Sequence, residues 1–213
     1  MPSEQRAGAQ SAATRTGRPP LTERRKTETR LEVARSAVRL FLAKGVAATS
    51  AEEIAEAAGI SSRTLWRYFP TKESCVTPLL TGVIELIAQF LQSWPSDQSM
   101  AEVFDTIGLH DNVADRTTMV NLVRLTRTEP GLRAVWLEAH RHAESAYAEA
   151  LARRAGLPGP DLTVAVQAAM ITTALRVATE YYAFNTDHAD AETQDYEVAM
   201  REALLIAART FSS

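Results

Sequence analysis

The chain has 213 residues, of which nearly half are hydrophobic, with 9 glycines, 9 prolines and a formal net charge of −3. Such a composition favours an all-α protein over a sheet protein or a disordered chain, with one large domain or a small one joined to a larger. The single cysteine, Cys75, excludes an internal disulfide, and no His/Cys spacing suits zinc. The N-terminus shows no apolar signal region and no apolar run near the roughly 18 residues of a membrane-spanning helix, so the expected location is the cytoplasm.

The net charge hides an asymmetry. Residues 1–72 hold thirteen Lys and Arg against seven Asp and Glu, a net +6, while residues 73–213 carry a net −9. A basic module joined to an acidic body is expected, and the basic module is the part able to neutralise phosphates.

In chain order, residues 1–25 are small, polar and aperiodic, with Pro19-Pro20 near their end. They read as a disordered basic arm, either a solvated tail or, through Arg15 and Arg18, a segment reaching a DNA minor groove. From Thr27 to Lys44 the apolar positions Leu31, Ala34, Ala37, Val38 and Phe41 recur every three or four residues, which predicts a helix closed by Gly45. Thr49 or Ser50 can cap a second short helix with Glu52 and Glu53 in its first turn, ending at Gly59.

Ser61 can cap a third helix, whose Leu65 and Phe69 form the buried side and whose stop is Pro70. The remaining surface is Ser62, Arg63, Thr64, Trp66, Arg67 and Tyr68. Thr71 can cap a fourth helix from about Lys72 to Trp94, closed by Pro95. Further helices are expected at about 99–109, 116–127, 131–155, 161–185 and 190–211, separated by Pro130-Gly131, the Gly/Pro run 156–160 and the polar stretch 185–190.

Two short helices joined through a glycine turn, the second capped by serine and cut off by proline inside a basic segment, follow the helix-turn-helix plan. The run "ARSAVRLFLAKGVAATSAEEIAEAAGISSRTLWRYFPTKES", residues 34–74, resembles the DNA-binding domain of TetR-family transcriptional regulators. That resemblance implies a helix-turn-helix domain at 26–72 and a helical ligand-binding and dimerisation domain at 73–213. The family commonly has tyrosine at the position of Trp66.

For base reading the expected residues are Ser62 and Arg63, since Arg paired with guanine is the commonest specific contact. Thr64, Trp66, Arg67, Tyr68 and Lys72, with the helix starts at Thr49, Ser50 and Ser61, are expected at phosphates or at a thymine methyl. The last two helices, apolar over most of their circumference, are expected to form a homodimer interface. Phe104, His110, Met119, Trp136, His140, Thr173 and Tyr181 are expected to line a pocket for a mostly apolar small molecule.

No cofactor and no metal is expected, because His140 and His142 stand two residues apart and point to different helix faces. Cys75 is expected in packing, with redox sensing as the alternative. The function that follows is a homodimeric repressor released from a palindromic operator by a small-molecule ligand. The alternatives are a ligand-independent or activating regulator and, more distantly, an all-α enzyme, for which the sequence offers no nucleophile–base pair and no phosphate-binding glycine loop.

Overall fold

A computed structural model describes residues 21–95, 113–186 and 193–209. The described residues form helices only: α1 (Leu21–Lys44), α2 (Ala51–Ala57), α3 (Ser62–Tyr68), a 3-10 turn (Glu73–Val76), α4 (Thr77–Ser93), α5 (Val113–Leu125), α6 (Pro130–Arg154), α7 (Leu162–Asn185) and α8 (Thr193–Arg209). Arg15, Arg18, Phe104 and His110, together with the helix expected at 99–109, lie outside the described residues.

α1 buries Val33, Ala34, Ala37, Val38 and Phe41 at helical spacing, and these meet Ile54 and Ala55 of α2 and Leu65 of α3 in one apolar cluster. α1 starts at Leu21, so residues 21–25 are helix and not the end of an arm. Ser50 alone caps α2: its hydroxyl accepts the Glu53 N–H at 3.2 Å while Glu53 accepts the Ser50 N–H at 2.8 Å, a reciprocal pair that stabilises the first turn. Lys44 joins the same carboxylate.

α2 ends because Gly59 turns left-handed at φ 67°, which lets Ile60 N–H reach Ala55 O at 2.9 Å and Gly59 N–H reach Glu56 O at 3.0 Å. A side chain at that φ would be strained, so the glycine sets where α3 departs. Ser61 caps α3, accepting the Thr64 N–H at 3.2 Å.

The fourth helix begins later than the sequence suggests. Thr71 and Ser74 exchange two hydrogen bonds, at 3.1 and 3.2 Å, that shape a 3-10 turn, and regular α-helix starts only at Thr77 with Pro78 in its first turn. α4 then packs along α6, which in turn lies against α7, while α7 pairs with α8. A second apolar cluster joins Ile87 and Leu91 of α4, the Ala143–Ala152 stretch of α6, and inward residues of α7 and α8. Arg154 fastens the far ends of α6 and α4 by donating to Trp94 O at 2.9 Å, and Arg124 of α5 caps the end of α7 at Ala183 O, 2.8 Å away.

Two segments, Glu73–Ser93 and Leu162–Asn185, are long and apolar enough to cross a membrane by length and composition, contrary to the expectation from the sequence. Each packs against more than one neighbouring helix and leaves further apolar residues exposed, Val83 and Leu86 on α4 and Leu162, Val166, Val177 and Tyr181 on α7.

Candidate DNA interface and interior cavity

α3 is seven residues long and could not persist alone in water. Its back is held by Leu65, 0% exposed, and by Phe69. Everything else on it faces outward or half outward. Arg63 and Arg67 are exposed, Trp66 is 47% exposed, and Ser62, Thr64 and Tyr68 are half-buried.

These side chains are held to different degrees. Arg63 is engaged by no hydrogen bond or ion pair among the described residues, so its guanidinium is free to meet a partner. Thr64 is oriented by Ser61, their hydroxyls 3.0 Å apart. Tyr68 is clamped: Arg30 of α1 lies 4.7 Å from its ring centroid, Arg67 lies 4.9 Å away, and Arg67 donates to the Tyr68 hydroxyl at 3.2 Å. Arg30, which is not among the residues expected from the sequence, joins this group only because α1 approaches α3.

Two residues expected at phosphates are engaged inside the protein. Thr49 is 2% exposed and its hydroxyl donates to Gly45 O at 2.8 Å, so it closes the turn after α1 and offers nothing outward. Lys72 lies before the 3-10 turn and not in the first turn of α4, and its ammonium donates to Val46 O at 2.7 Å and Thr49 O at 3.0 Å. It binds the α1–α2 connection to the root of α4. Ser50 and Ser61 are capping residues whose hydroxyl oxygens already accept backbone N–H groups.

Farther into the body, where the two apolar clusters meet, lies a cavity of about 80 Å³. One face of α6 supplies Trp136, His140, Ala143 and Tyr147 at i, i+4, i+7 and i+11. α4 contributes Leu80, Ile84 and Ile87, α5 Met119, α7 Thr172 and Thr179, and α8 Tyr196 and Met200. Among the described residues, none of those lining it is Lys, Arg, Asp or Glu.

Of the expected pocket residues, Met119, Trp136 and His140 line this cavity. Thr173 and Tyr181 do not: both are exposed, Tyr181 to 67%, on the opposite face of α7. Their inward neighbours Thr172 and Thr179 take the place expected of them. An α7 apolar nearly all round gives no signal of facing, so a shift of one or two residues is not legible in the sequence. Tyr147 could have been found by stepping from Trp136 along one face of α6.

The polar groups of the cavity are few. His140 lies edge-on to Trp136, ring centroids 4.1 Å apart, with Nδ1 2.8 Å from Trp136 O. Burial lowers the His140 pKa and Arg176 adds to this, opposed by the Trp136 carbonyl and Glu180. The Trp136 indole N–H donates to Glu180 at 2.8 Å, and Glu180 also pairs with Arg176 at 2.9 Å. Burial raises the pKa of both Tyr147 and Tyr196. Cys75 is wholly buried, its thiol pushed up to about 12 by burial and by Glu73. His142 is exposed on another face of α6 from His140, and the described residues contain no cluster of three His, Cys, Asp or Glu suited to a metal.

Against this geometry the comparisons with known proteins are consistent. The profile of the bacterial regulatory proteins of the tetR family matches residues 34–77, and that of the MftR C-terminal domain matches residues 98–210. The HTH-type transcriptional regulator TcmR of Streptomyces glaucescens is 30% identical over 149 residues, which is 65% of this chain and 66%, just under two thirds, of TcmR. The HTH-type transcriptional repressor KstR2 of Rhodococcus jostii is 40% identical over 60 residues, 28% of this chain and 29% of KstR2. Among solved structures, Salmonella enterica GusR superposes with a TM-score of 0.52 at 19% identity, covering 85% of this chain and 96% of GusR, a likeness of fold.

The second profile alone spans more than half of the chain, and the first falls on the segment that builds α3 and its support. TetR-family proteins are DNA-binding regulators and not enzymes. The chain belongs to the TetR family: it is an all-α, helix-turn-helix transcriptional regulator.

Proposed function

We propose that this regulator is a homodimeric repressor that holds a partly palindromic operator through two copies of α3 and releases it when a small molecule fills the interior cavity. The observation that carries the reading is the surface of α3, which spends Leu65 on the core and leaves Arg63, Trp66 and Arg67 exposed. Arg63, near the helix N-terminus and unengaged among the described residues, is the reader of a guanine edge, with Ser62 and Thr64 beside it. Trp66, Arg67 and Tyr68 meet the sugar-phosphate backbone, the clamp of Arg30 and Arg67 fixing the Tyr68 ring. The protein would act in the cytoplasm, beside the DNA.

A dimer is supported by a stripe of exposed apolar residues. On α7, Leu162, Val166, Val177 and Tyr181 are open at spacings of four and eleven, and α8 adds Val198 and Ile206. Folded back to back with a second copy, the two pairs form a four-helix interface, and reading one operator then requires the two α3 helices to stand roughly 34–36 Å, or a multiple of it, apart. Release follows from the position of the cavity. α6 lines it and also packs at its N-terminus against the 3-10 turn, so closely that a Cβ on Gly131 would lie 2.9 Å from Glu73 Cγ. Glu73 adjoins Lys72, the tie to the α1–α2 connection.

A ligand that prefers the cavity as it stands in the DNA-incompetent arrangement shifts the population away from DNA, and operator DNA must then weaken the ligand by the same factor. The dimer reading is tested by sedimentation of wild type and Val177→Glu. Wild type sediments as a dimer that binds palindromic DNA; the variant, with like charges facing across the twofold axis, sediments as a monomer with weakened operator binding. A dimeric variant with full operator affinity would remove this face from the interface.

A further inference from the structure

The inference rests on the proposed reading of the cavity as the effector site and concerns what that site accepts. We infer that its occupant is an uncharged, mainly apolar molecule held at two points along α6, with an O–H or N–H donor directed at His140 Nε2 and an acceptor such as a carbonyl oxygen directed at the Tyr147 hydroxyl.

Charge is excluded by the lining. Among the described residues no ionised side chain borders the cavity, and an ion moved there would lose hydration while the nearest cation, Arg176, is already paired with Glu180. The charged groups that face His140 are Arg176 and Glu180 on α7, which pair with each other at 2.9 Å, and Glu180 also takes the Trp136 indole N–H. Their charges are balanced against each other.

The two polar anchors are assigned by what each group has left. Tyr147 is 2% exposed, its hydroxyl has no hydrogen-bond partner among the described residues, and it borders the cavity. A polar group without a protein partner is paired by water or by a ligand, so the Tyr147 hydroxyl, on a residue of the cavity wall, is free to take a ligand acceptor in place of water. The other hydroxyls are committed. Thr172 and Thr179 donate to Ala168 O and Leu175 O, each at 2.8 Å, and Tyr196 directs its proton at Thr179 Oγ1, 3.5 Å away. Tyr147 is therefore the free donor.

His140 is the free acceptor. A carbonyl oxygen can only accept, so the 2.8 Å contact of Nδ1 with Trp136 O puts the proton on Nδ1 and leaves the lone pair on Nε2. The histidine and the tyrosine stand seven residues apart on one face of α6, about 10.5 Å along the axis at 1.5 Å per residue. That rise separates the two backbone positions and sets the scale of the occupant: a single para-substituted ring with a hydrogen bond of about 2.8 Å at each end is of this order, and one ring suits the small cavity better than a fused system.

The test uses four matched probes and protein carrying ¹³C-methyl methionine, since the methyls of Met119 and Met200 border the cavity and report occupancy by chemical shift. We expect 4-hydroxyacetophenone, with both groups, to bind about fivefold tighter than acetophenone or 4-ethylphenol, each of which lacks one hydrogen bond. The anion 4-acetylbenzoate should bind at least about tenfold more weakly than 4-hydroxyacetophenone. Tyr147→Phe, which keeps the ring, should erase the advantage over 4-ethylphenol and keep that over acetophenone; His140→Phe should do the reverse. Equal affinity for all four probes, or discrimination unchanged in both variants, overturns the two-point inference while the cavity remains an effector site. Unmoved Met119 and Met200 signals with every probe at millimolar concentration overturn the inference and the effector-site reading together. The wild-type series decides the matter even if a variant fails to fold.

Discussion

Replacing Lys72 by methionine separates two roles that a lysine beside a helix-turn-helix can have. Methionine keeps an unbranched apolar stem and removes the ammonium, which donates to Val46 O at 2.7 Å and to Thr49 O at 3.0 Å. A hydrogen bond to a charged group is worth about 1.5–3 kcal/mol, and because Lys72 is only half-buried, so that water replaces part of both bonds, the pair together is set at the worth of one such bond, about 2 kcal/mol. At roughly 2–4 °C per kcal/mol for a chain of this size, the melting temperature should fall by roughly 4–8 °C. Thr49 O immediately precedes the Ser50 cap of α2, so the loss loosens the support of α3 and weakens every DNA sequence alike. The assay is thermal unfolding by circular dichroism together with fluorescence anisotropy of a labelled operator over a series of salt concentrations. A tie inside the protein leaves the slope of log K against log salt unchanged. A phosphate contact lowers the slope by about 0.9 per lysine and leaves melting unaffected; that outcome would refute the role assigned from the structure.

Arg63→Ala should cost about 1–3 kcal/mol at one operator position and relax the preference there, as read by binding-site selection with the variant. The Glu53 carboxyl is held down to about 2, first by the hydrogen bond from Lys44 and then by the Ser50 N–H. Its contribution to α2 is therefore complete above the ordinary carboxylate range, near 4.5, and is lost as pH falls toward 2. Acid titration of helicity should show a step in that window in wild type that Glu53→Gln lacks. With its thiol raised to about 12 and wholly buried, Cys75 should not react with a disulfide reagent at pH 8 in the native protein and should react at once in denaturant, which separates packing from redox sensing.

What was legible in the sequence follows the locality of each signal. α2 and α3 are bounded by Ser50, Gly59, Ser61 and Pro70, each of which acts on its own backbone, and the helices end where those residues place them. The start of α1 was missed because Pro19-Pro20 read as the end of a tail, although proline equally suits the approach to a helix and Leu21 begins one. The start of α4 was misplaced because Thr71 and Ser74 form the reciprocal bonds of a helix cap around a 3-10 turn, and the displacement turned Lys72 back onto the α1–α2 connection. Cavity residues were legible on α6, where Trp136 and His140 share a stripe, and illegible on α7, where Thr172 and Thr173 differ only in which neighbour they meet. Facing on such a helix is settled by tertiary packing, which no window of sequence contains.

The most direct test of the central claim is selection of binding sites from random duplex DNA by the purified protein, followed by affinity measurement on the selected site over a range of salt. The account predicts enrichment of a partly palindromic sequence with two half-sites about one helical turn apart, and a log K that falls with log salt at a slope of very roughly −5 to −9 as each half neutralises several phosphates. Selection that enriches no symmetric sequence, together with binding that barely responds to salt, would contradict it.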